Sequence, residues 1–246
     1  MRRRNPLVLI LLILIASGAL FALLVWGNYR FTQGNKGGED FIQHWDNTRA
    51  FLRSGISPYS EEAAVRVQML VYGRPAESNE DPMMSSYPLF ANIVYMPFAL
   101  IGNVDLARAI WMALLEVALI LAAFLSMNLA GWRPKPLFLM LFLLFIVFWY
   151  HGFRPVVTGN SSPLVTLAVV GAFLAIRAEN DELAGVLIGF AFIRPEMVLV
   201  LSVFFLFWGI ANGRIKIFLY TLATVALLSG FGILLMPGWL IILIKQ

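Results

Sequence analysis

The sequence predicts an all-α membrane protein, a polytopic helical bundle of about seven membrane elements with a large first outer loop that contains surface helices. Composition is one reason: 60% of the 246 residues are hydrophobic and 13% are charged, about half the charged fraction of a typical soluble domain. A second is the uncharged stretch 6–27, which as a helix outreaches a hydrocarbon core of about 30 Å. Because lipid offers the backbone no hydrogen-bonding partners, the elements are expected to be helices.

The first membrane element, residues 6–27, sets the predicted orientation. It follows Arg2, Arg3 and Arg4, which the positive-inside rule keeps on the cytoplasmic side. We therefore expect a multi-pass protein of the plasma (inner) membrane with a cytoplasmic N-terminus. A cleaved signal peptide is the competing interpretation. The 22 apolar residues are long for such a peptide, and no convincing small-x-small site for cleavage precedes Tyr29.

The next stretch, residues 28–103, is predicted to be the first extracytoplasmic loop and contains most of the acidic residues. Within it, residues 87–101 are apolar but include Pro88 and Pro97. A helix of this length reaches only about 22 Å, so we expect it to lie at, or dip into, the outer surface. A second helix is predicted from Asp40 onward, amphipathic and lying along the membrane surface. Its polar face carries Asp40, Gln43, His44 and Asn47. Its apolar face carries Phe41, Trp45 and Leu52.

Three further spans follow. The first is predicted to run from the outside to the cytoplasm, the second back to the outside, and the third to the cytoplasm again. The first of them, residues 104–129, is followed by a basic cluster at 130–135 that the positive-inside rule places in the cytoplasm. Residues 136–150 return to the outside, and residues 164–176 go back in. Glu116 lies in the middle of the first of these spans, where a buried hydrogen-bonding or packing role is as compatible with the pattern as chemistry is.

The stretch 183–209 allows two interpretations, one span of 27 residues or two short elements that meet at Arg194. If the stretch forms two elements, the basic residues that follow it, Arg214 and Lys216, lie on the cytoplasmic side, in agreement with the other short basic loops. Pro195 also favours a break, because it lacks a backbone donor and disfavours helical geometry at the residue before it. The last span, residues 217–235, then runs outward.

Polar residues from four parts of the chain meet on the predicted outer face and form a candidate site. Charges at membrane depth cost several kcal/mol unless they are paired or functional, so Arg194 is a strong candidate. A structural ion pair between Arg194 and Glu196 is the alternative. The residues of the candidate site are Glu39 and Asp40, His151 and Arg154, the turn around Asn160, and Arg194 with Glu196.

Composition also limits the cofactors and partners. The chain has no Cys and only two His, which excludes thiol chemistry and a His-rich metal cluster. Glu39, Asp40 and Asp46 offer oxygen ligands for Mg²⁺ or Mn²⁺, but acidic loops are more often solvated, so we expect no metal and no other cofactor. The net charge of +4 is explained by membrane topology, so no nucleic-acid partner is expected.

Four segments, in this order, carry a family resemblance: EDFIQHWDNTRAFLRSGISPY, SSYPLFANIVYMPFALIG, VVTGNSSPL and ELAGVLIGFAFIRPEMVLV. Together they resemble the polyprenol-phosphate-mannose-dependent α-mannosyltransferases of the C-type glycosyltransferase superfamily. The resemblance rests on an Asp in a first outer loop, a Gly-x-x-x-Tyr turn, a Tyr-Pro helix and a later Arg-Pro step. It extends over nearly the whole chain, although each motif is short.

The resemblance implies roles for individual residues. Asp40 matches the catalytic aspartate that serves as the base for the acceptor hydroxyl, Arg194 matches the Lys that neutralises the leaving phosphate, and Asn160 matches a polar position of the sugar pocket. The chain departs from the pattern in having Gly159-Asn160 in place of Gly-Gln. It also ends at Gln246, where relatives continue, so the expectation is a single module, residues 1–246, that lacks its C-terminal spans. Further predicted substrate contacts are His44, Glu39, Arg154 and Tyr59.

The functional hypothesis is a membrane glycosyltransferase, a hexosyltransferase that takes a mannose-like sugar from a polyprenyl-phosphate donor. Its acceptor would be a lipid or glycan of the cell envelope, on the extracytoplasmic face. The alternative is a non-catalytic scaffold subunit of a larger membrane complex, with membrane lipids as partners in either case. A transporter is a third hypothesis, but the sequence shows no internal repeat. A cavity shared by Asp40 and Arg194 would favour the enzyme.

Overall fold

The computed structural model describes residues 6–245, and its regular structure is helical. Arg2, Arg3 and Arg4, on which the predicted orientation depends, lie outside the described residues. A 3₁₀ turn, Leu89–Ala91, precedes α4. The α-helices within the described residues are α1 (Pro6–Gly34), α2 (Glu39–Ser54), α3 (Glu61–Val71), α4 (Asn92–Ala99), α5 (Val104–Leu129), α6 (Pro136–Phe148), α7 (Tyr150–Thr158), α8 (Ser162–Arg177), α9 (Asp181–Ala191), α10 (Pro195–Ala211), α11 (Ile215–Leu235) and α12 (Trp239–Ile244).

Three of these helices, α1, α5 and α11, are long and apolar enough to cross a membrane. The pair α6 and α7 is a fourth candidate if the two helices, which bend by 48° at their junction, form one broken span. The protein is thus an all-helical, integral multi-pass membrane protein, as predicted. The described residues do not establish the predicted count of seven membrane elements, because α8 and α10 are apolar but shorter than a full span.

The predicted break at Arg194 is confirmed, since α9 ends at Ala191 and α10 begins at Pro195. Pro195 occupies the first position of α10, where its missing N–H costs no helical hydrogen bond. The predicted third span is different, because the chain bends at Trp149 and continues as α7 to Thr158. After the bend, Tyr150, His151 and Arg154 of α7 line a cavity that they share with Asp40.

Helix α5 is at the centre of the bundle and packs against α1 and α8, while α9 packs against α8 and α11. Helices α2 and α4 pack together near the N-terminal end of α5, around a buried cluster that includes Phe41, Tyr95 and Trp111. The predicted helix from Asp40 onward is present as α2, but part of its polar face is not exposed to solvent. Both His44 and Asn47 are buried, because α4 covers that face.

The loops predicted to be cytoplasmic gather at one end of the bundle. Arg177, at the end of α8, donates to the backbone oxygen of Asn128 near the end of α5 at 2.9 Å. Arg214 pairs with Asp181, and Lys216 donates to Glu182 at 2.7 Å. The opposite ends of α5 and α8 meet α2 and α7. This arrangement agrees with the predicted sidedness of the loops relative to one another.

Candidate active site

A cavity of about 430 Å³ opens between α2, α7 and the start of α10. It brings together five of the predicted site residues, Asp40, His151, Arg154, Asn160 and Arg194, although they are up to 154 positions apart in the chain. Its polar lining is largely Asp40, Tyr87, Tyr150, His151, Arg154, Thr158, Asn160, Ser162 and Arg194. Asp40 and Arg194 share one cavity. This is the observation that distinguishes the enzyme hypothesis from the scaffold hypothesis, and it favours the enzyme.

Asp40 lies in the first turn of α2, where the helix dipole favours a negative charge. Asn160 Nδ2 donates a hydrogen bond of 3.2 Å to Asp40 Oδ2. The amide is itself held in place, because its oxygen accepts from the backbone N–H of Ser162 at 3.0 Å and from the Ser162 hydroxyl. The carboxylate therefore has a defined orientation in the cavity.

The close approach of α2 to the loop after α7 depends on Gly159. This residue has a φ of +79°, and a Cβ added to it would lie 2.3 Å from the Cβ of Phe41. Phe41 is fully buried and follows Asp40 directly. A side chain at position 159 would thus push Asp40 away from Asn160, so the glycine is needed for the site geometry.

Arg194 reaches the cavity from the break between α9 and α10, with its side chain 12% exposed. Its Nη2 donates to the Tyr87 hydroxyl at 2.8 Å, and its guanidinium carbon lies 5.1 Å from the centroid of the Tyr87 ring. Its Nε donates to Glu196 at 2.8 Å, so the structural ion pair is also present. Because both interactions hold the planar group, Arg194 is oriented beside the cavity.

Arg154 is a second cation at the cavity, on α7. It donates to the Tyr150 hydroxyl, and its guanidinium carbon lies 5.6 Å from the Tyr150 ring centroid. The opposite face of α7 carries Phe153 and lines a separate, mostly apolar cavity of about 240 Å³, where Glu116 accepts a hydrogen bond of 3.1 Å from Asn28. With two guanidinium groups and one carboxylate, the Asp40 cavity suits an anionic group such as a phosphate.

His44 and Tyr59, both predicted substrate contacts, are buried and do not line the cavity. The His44 ring stacks on Tyr95 with centroids 4.3 Å apart, and its Nδ1 lies 2.9 Å from Asn92 Oδ1. Burial lowers the pKa of His44 to about 4, against the opposing effects of the Asn92 hydrogen bond and the Asp40 charge. The Tyr59 hydroxyl donates to the backbone oxygen of Tyr87 at 2.7 Å. Both residues therefore contact Tyr87, which lines the cavity, without lining the cavity themselves.

Glu39, also a predicted substrate contact, faces a different cavity of about 760 Å³ together with Lys36 and Asp105. Asp46 is buried, and its two oxygens accept bonds of 3.0 and 3.1 Å from Arg66. The three carboxylates considered for a divalent metal are thus directed to different places. Within residues 6–245, no three His, Asp or Glu side chains are grouped as metal ligands.

Sequence reasoning missed two polar residues of the cavity, Tyr87 and Tyr150. A signal existed for Tyr87, which is the Tyr of the Tyr-Pro pair in SSYPLF. No comparable signal marked Tyr150, because a tyrosine at the end of an apolar stretch is an ordinary interfacial residue. Its place at the cavity depends on the bend between α6 and α7.

Comparison with known protein families identifies the class of the protein. The model of Glycosyltransferase family 87 matches residues 86–242, a segment that includes Tyr87, Asn160 and Arg194 and begins after Asp40. Comparisons with curated proteins and with solved structures gave no match. The family model matches well over half of the chain, and the protein therefore belongs to glycosyltransferase family 87.

Proposed function

We propose that this glycosyltransferase moves a mannose-like sugar from a polyprenyl-phosphate donor to a hydroxyl of a lipid or envelope acceptor. The observation that carries the proposal is the shared cavity, into which one carboxylate, Asp40, and two guanidinium groups, Arg154 and Arg194, are directed. A leaving phosphate needs cations, and an acceptor hydroxyl needs a base. Both requirements are met within about 430 Å³, a volume in the range of small-molecule sites.

In the proposed reaction, Asp40 takes the proton of the acceptor hydroxyl as the acceptor oxygen forms a bond to the anomeric carbon. The bond between that carbon and the phosphate oxygen breaks on the opposite face of the sugar, so the configuration is inverted. The electron pair of the broken bond leaves with the polyprenyl phosphate. Arg194 and Arg154 stabilise the charge that develops on the phosphate.

The remaining residues have supporting roles in this proposal. Asn160 orients the Asp40 carboxylate through its 3.2 Å hydrogen bond and contributes to the sugar pocket. His44 and Tyr59 hold α2 and Tyr87 in place, whereas Glu39 is assigned to its own cavity beside the site. No metal is required, since the two guanidinium groups supply the positive charge.

The cavity end of the bundle is proposed to face the extracytoplasmic side, where a polyprenyl-linked donor presents its sugar. The support is the distribution of basic residues, because the opposite end carries Arg133, Lys135, Arg177, Arg214 and Lys216. Such clusters are typical of cytoplasmic loops. The donor headgroup would then enter the cavity at the membrane surface, with its prenyl chain in the lipid.

The test is sugar transfer by the full chain in membranes, with radiolabelled polyprenyl-phosphate mannose as the donor and the endogenous acceptors of those membranes. Asp40→Asn removes the base and keeps the shape, so transfer should fall by at least about 100-fold. Arg194→Gln should raise the KM for the donor by about tenfold, because a charge-assisted hydrogen bond to the phosphate is lost.

Glu39→Gln is the matched control, since it makes the same chemical change at the adjacent residue, which faces another cavity. Its loss of transfer should stay below about tenfold. Near-normal turnover in Asp40→Asn, with protein levels equal to wild type, would remove the catalytic assignment. The scaffold hypothesis would then be the better account of the chain.

A further inference from the structure

The buried side chain of Arg108 connects the two segments that form the active site. It lies near the start of α5 and is only 2% exposed. Its Nη1 donates to the backbone oxygen of Asn35 at 3.1 Å, and its Nη2 donates to the backbone oxygen of Val157 at 3.0 Å. Asn35 is five residues before Asp40, and Val157 is three residues before Asn160.

Both acceptors of Arg108 are carbonyl groups at the C-terminal ends of helices. Asn35 follows the last residue of α1, and Val157 is in the last turn of α7. Such carbonyls lack the helical partner of interior residues and carry the negative end of the helix dipole, so a cation stabilises them. Arg suits this position because its planar group donates in two directions at once.

We propose that Arg108 is a positioning residue that sets the distance between Asp40 and Asn160 by bridging the α1–α2 loop to the end of α7. This inference rests on the proposed function, because it assigns Arg108 to the alignment of the base. Arg108 acts through the backbone of its two partner segments. The two hydrogen bonds are called the Arg108 bridge below.

Two neighbouring contacts support this assignment. A Cβ added to Gly38 would lie 2.4 Å from Arg108 Nε, so the loop passes directly over the guanidinium group. One helical turn further along α5, Trp111 Nε1 donates to the backbone oxygen of Gly159 at 2.7 Å. Two residues one turn apart on α5 thus contact the segment before Asp40 and the segment around Asn160.

The expected consequence of losing the bridge is a shift of α7 relative to α2. Two partly buried carbonyl groups would lose their donor, and the segments would move to find other partners. A displacement of about 1 Å at a catalytic group lowers the rate by about 100-fold. Arg154 moves with α7, but Arg194 is held separately by Tyr87 and Glu196 and keeps its place beside the donor phosphate. The KM for the donor should therefore change less than kcat.

The first experiment measures the geometry without any turnover. The chain has no Cys, so cysteines introduced at Lys36 and Phe153, both exposed, can be spin-labelled specifically. In Arg108→Met, the distribution of distances between the two labels should broaden or shift relative to wild type. Arg49→Met is the control, because Arg49 also donates to two backbone oxygens, those of Ala99 and Ile101, away from the cavity.

The second experiment disturbs the Arg108 bridge by a substitution at Gly38, which lies against the guanidinium group. Gly38→Ala and Gly55→Ala both place alanine in a left-handed conformation at an end of α2, with φ values of +88° and +68°. Only the first would collide with Arg108, whereas nothing lies within 4 Å at position 55. Gly38→Ala should therefore change the label distances and lower kcat, and Gly55→Ala should do neither beyond its general effect on stability.

The expected kinetic result for Arg108→Met is a fall in kcat of about 10-fold to 100-fold with the KM for polyprenyl-phosphate mannose within about threefold. Arg108→Lys should recover only part of the loss, since one ammonium group does not reproduce the fork. Unchanged label distances in Arg108→Met and Gly38→Ala, or equal losses in Arg49→Met, would overturn the proposal. Because the distance measurement needs no turnover, it decides this question even if Asp40→Asn stays active and the proposed reaction fails.

Discussion

The buried position of His44 predicts that the stability of this protein decreases as the pH falls below 6.5. His44 is 5% exposed and stacked on Tyr95, and burial lowers its pKa from the ordinary value of 6.5 to about 4. Of the nearby charges, Asp40 opposes this shift and Arg194 adds to it. The unfolded chain therefore takes up a proton at a higher pH than the folded protein does.

The sign follows from that difference in proton binding. Above pH 6.5 both states carry a neutral His44, and its burial is fully compatible with folding. Between pH 6.5 and about 4 the unfolded state is protonated and gains stability relative to the folded state. A shift of this size corresponds to about 3 kcal/mol when complete and to about 2 kcal/mol at pH 5.

The chain has only two His, so NMR of histidine-labelled protein in detergent micelles should show two sets of imidazole signals. His151→Gln assigns them by removing one. The His44 signal should titrate near pH 4. In parallel, denaturation at pH 7.5 and pH 5 should show about 2 kcal/mol less pH-dependent loss in His44→Gln than in wild type, because Gln does not titrate. An apparent pKa above about 6 for His44, or the same pH dependence in both proteins, would refute the reasoning.

Two other predictions concern packing and topology. Gly159→Ala should destabilise the fold by about 3 kcal/mol or more and reduce transfer, because its Cβ would lie 2.3 Å from Phe41 Cβ. Gly131→Ala, with a φ of +66° and nothing within 4 Å, should cost only the backbone strain of about 1 kcal/mol, and equal losses in thermal denaturation would contradict this account. Single cysteines at the exposed residues Asn79 and Ala178 should react with a membrane-impermeant maleimide from opposite sides of the membrane. Labelling of both from the same side would invalidate the predicted sidedness.

Local sequence patterns were sufficient for the class and for much of the helix order. The stretch 104–129 corresponds to α5 at both ends, because a long apolar run bounded by a polar N-cap, Asn103, and by Gly131 has no better local conformation. Pro195 likewise predicted the break between α9 and α10. The sequence also identified five residues that share the cavity as polar residues of the predicted outer face, namely Asp40, His151, Arg154, Asn160 and Arg194. For Arg194 the cost of a charge at membrane depth was a further reason.

Other features depended on contacts between distant segments. The pattern of α2 leaves open whether its polar face is solvated. In the structure α4 packs over that face, so His44 and Asn47 are buried. Glu39 and Asp40 are adjacent in sequence and similar in chemistry, yet the helix turns their side chains by about 100° into separate cavities.

The sequence by itself determined that the chain is helical, crosses a membrane and carries a carboxylate and guanidinium groups suited to a transferase. Local hydrophobicity, proline positions and the cost of charge near lipid are sufficient for these conclusions. Only the tertiary structure decided which carboxylate shares the cavity with Arg194 and which residues hold it in place. Arg108 appears in the sequence as one more charge at the end of a span, and its bridge exists only because α1, α5 and α7 meet there.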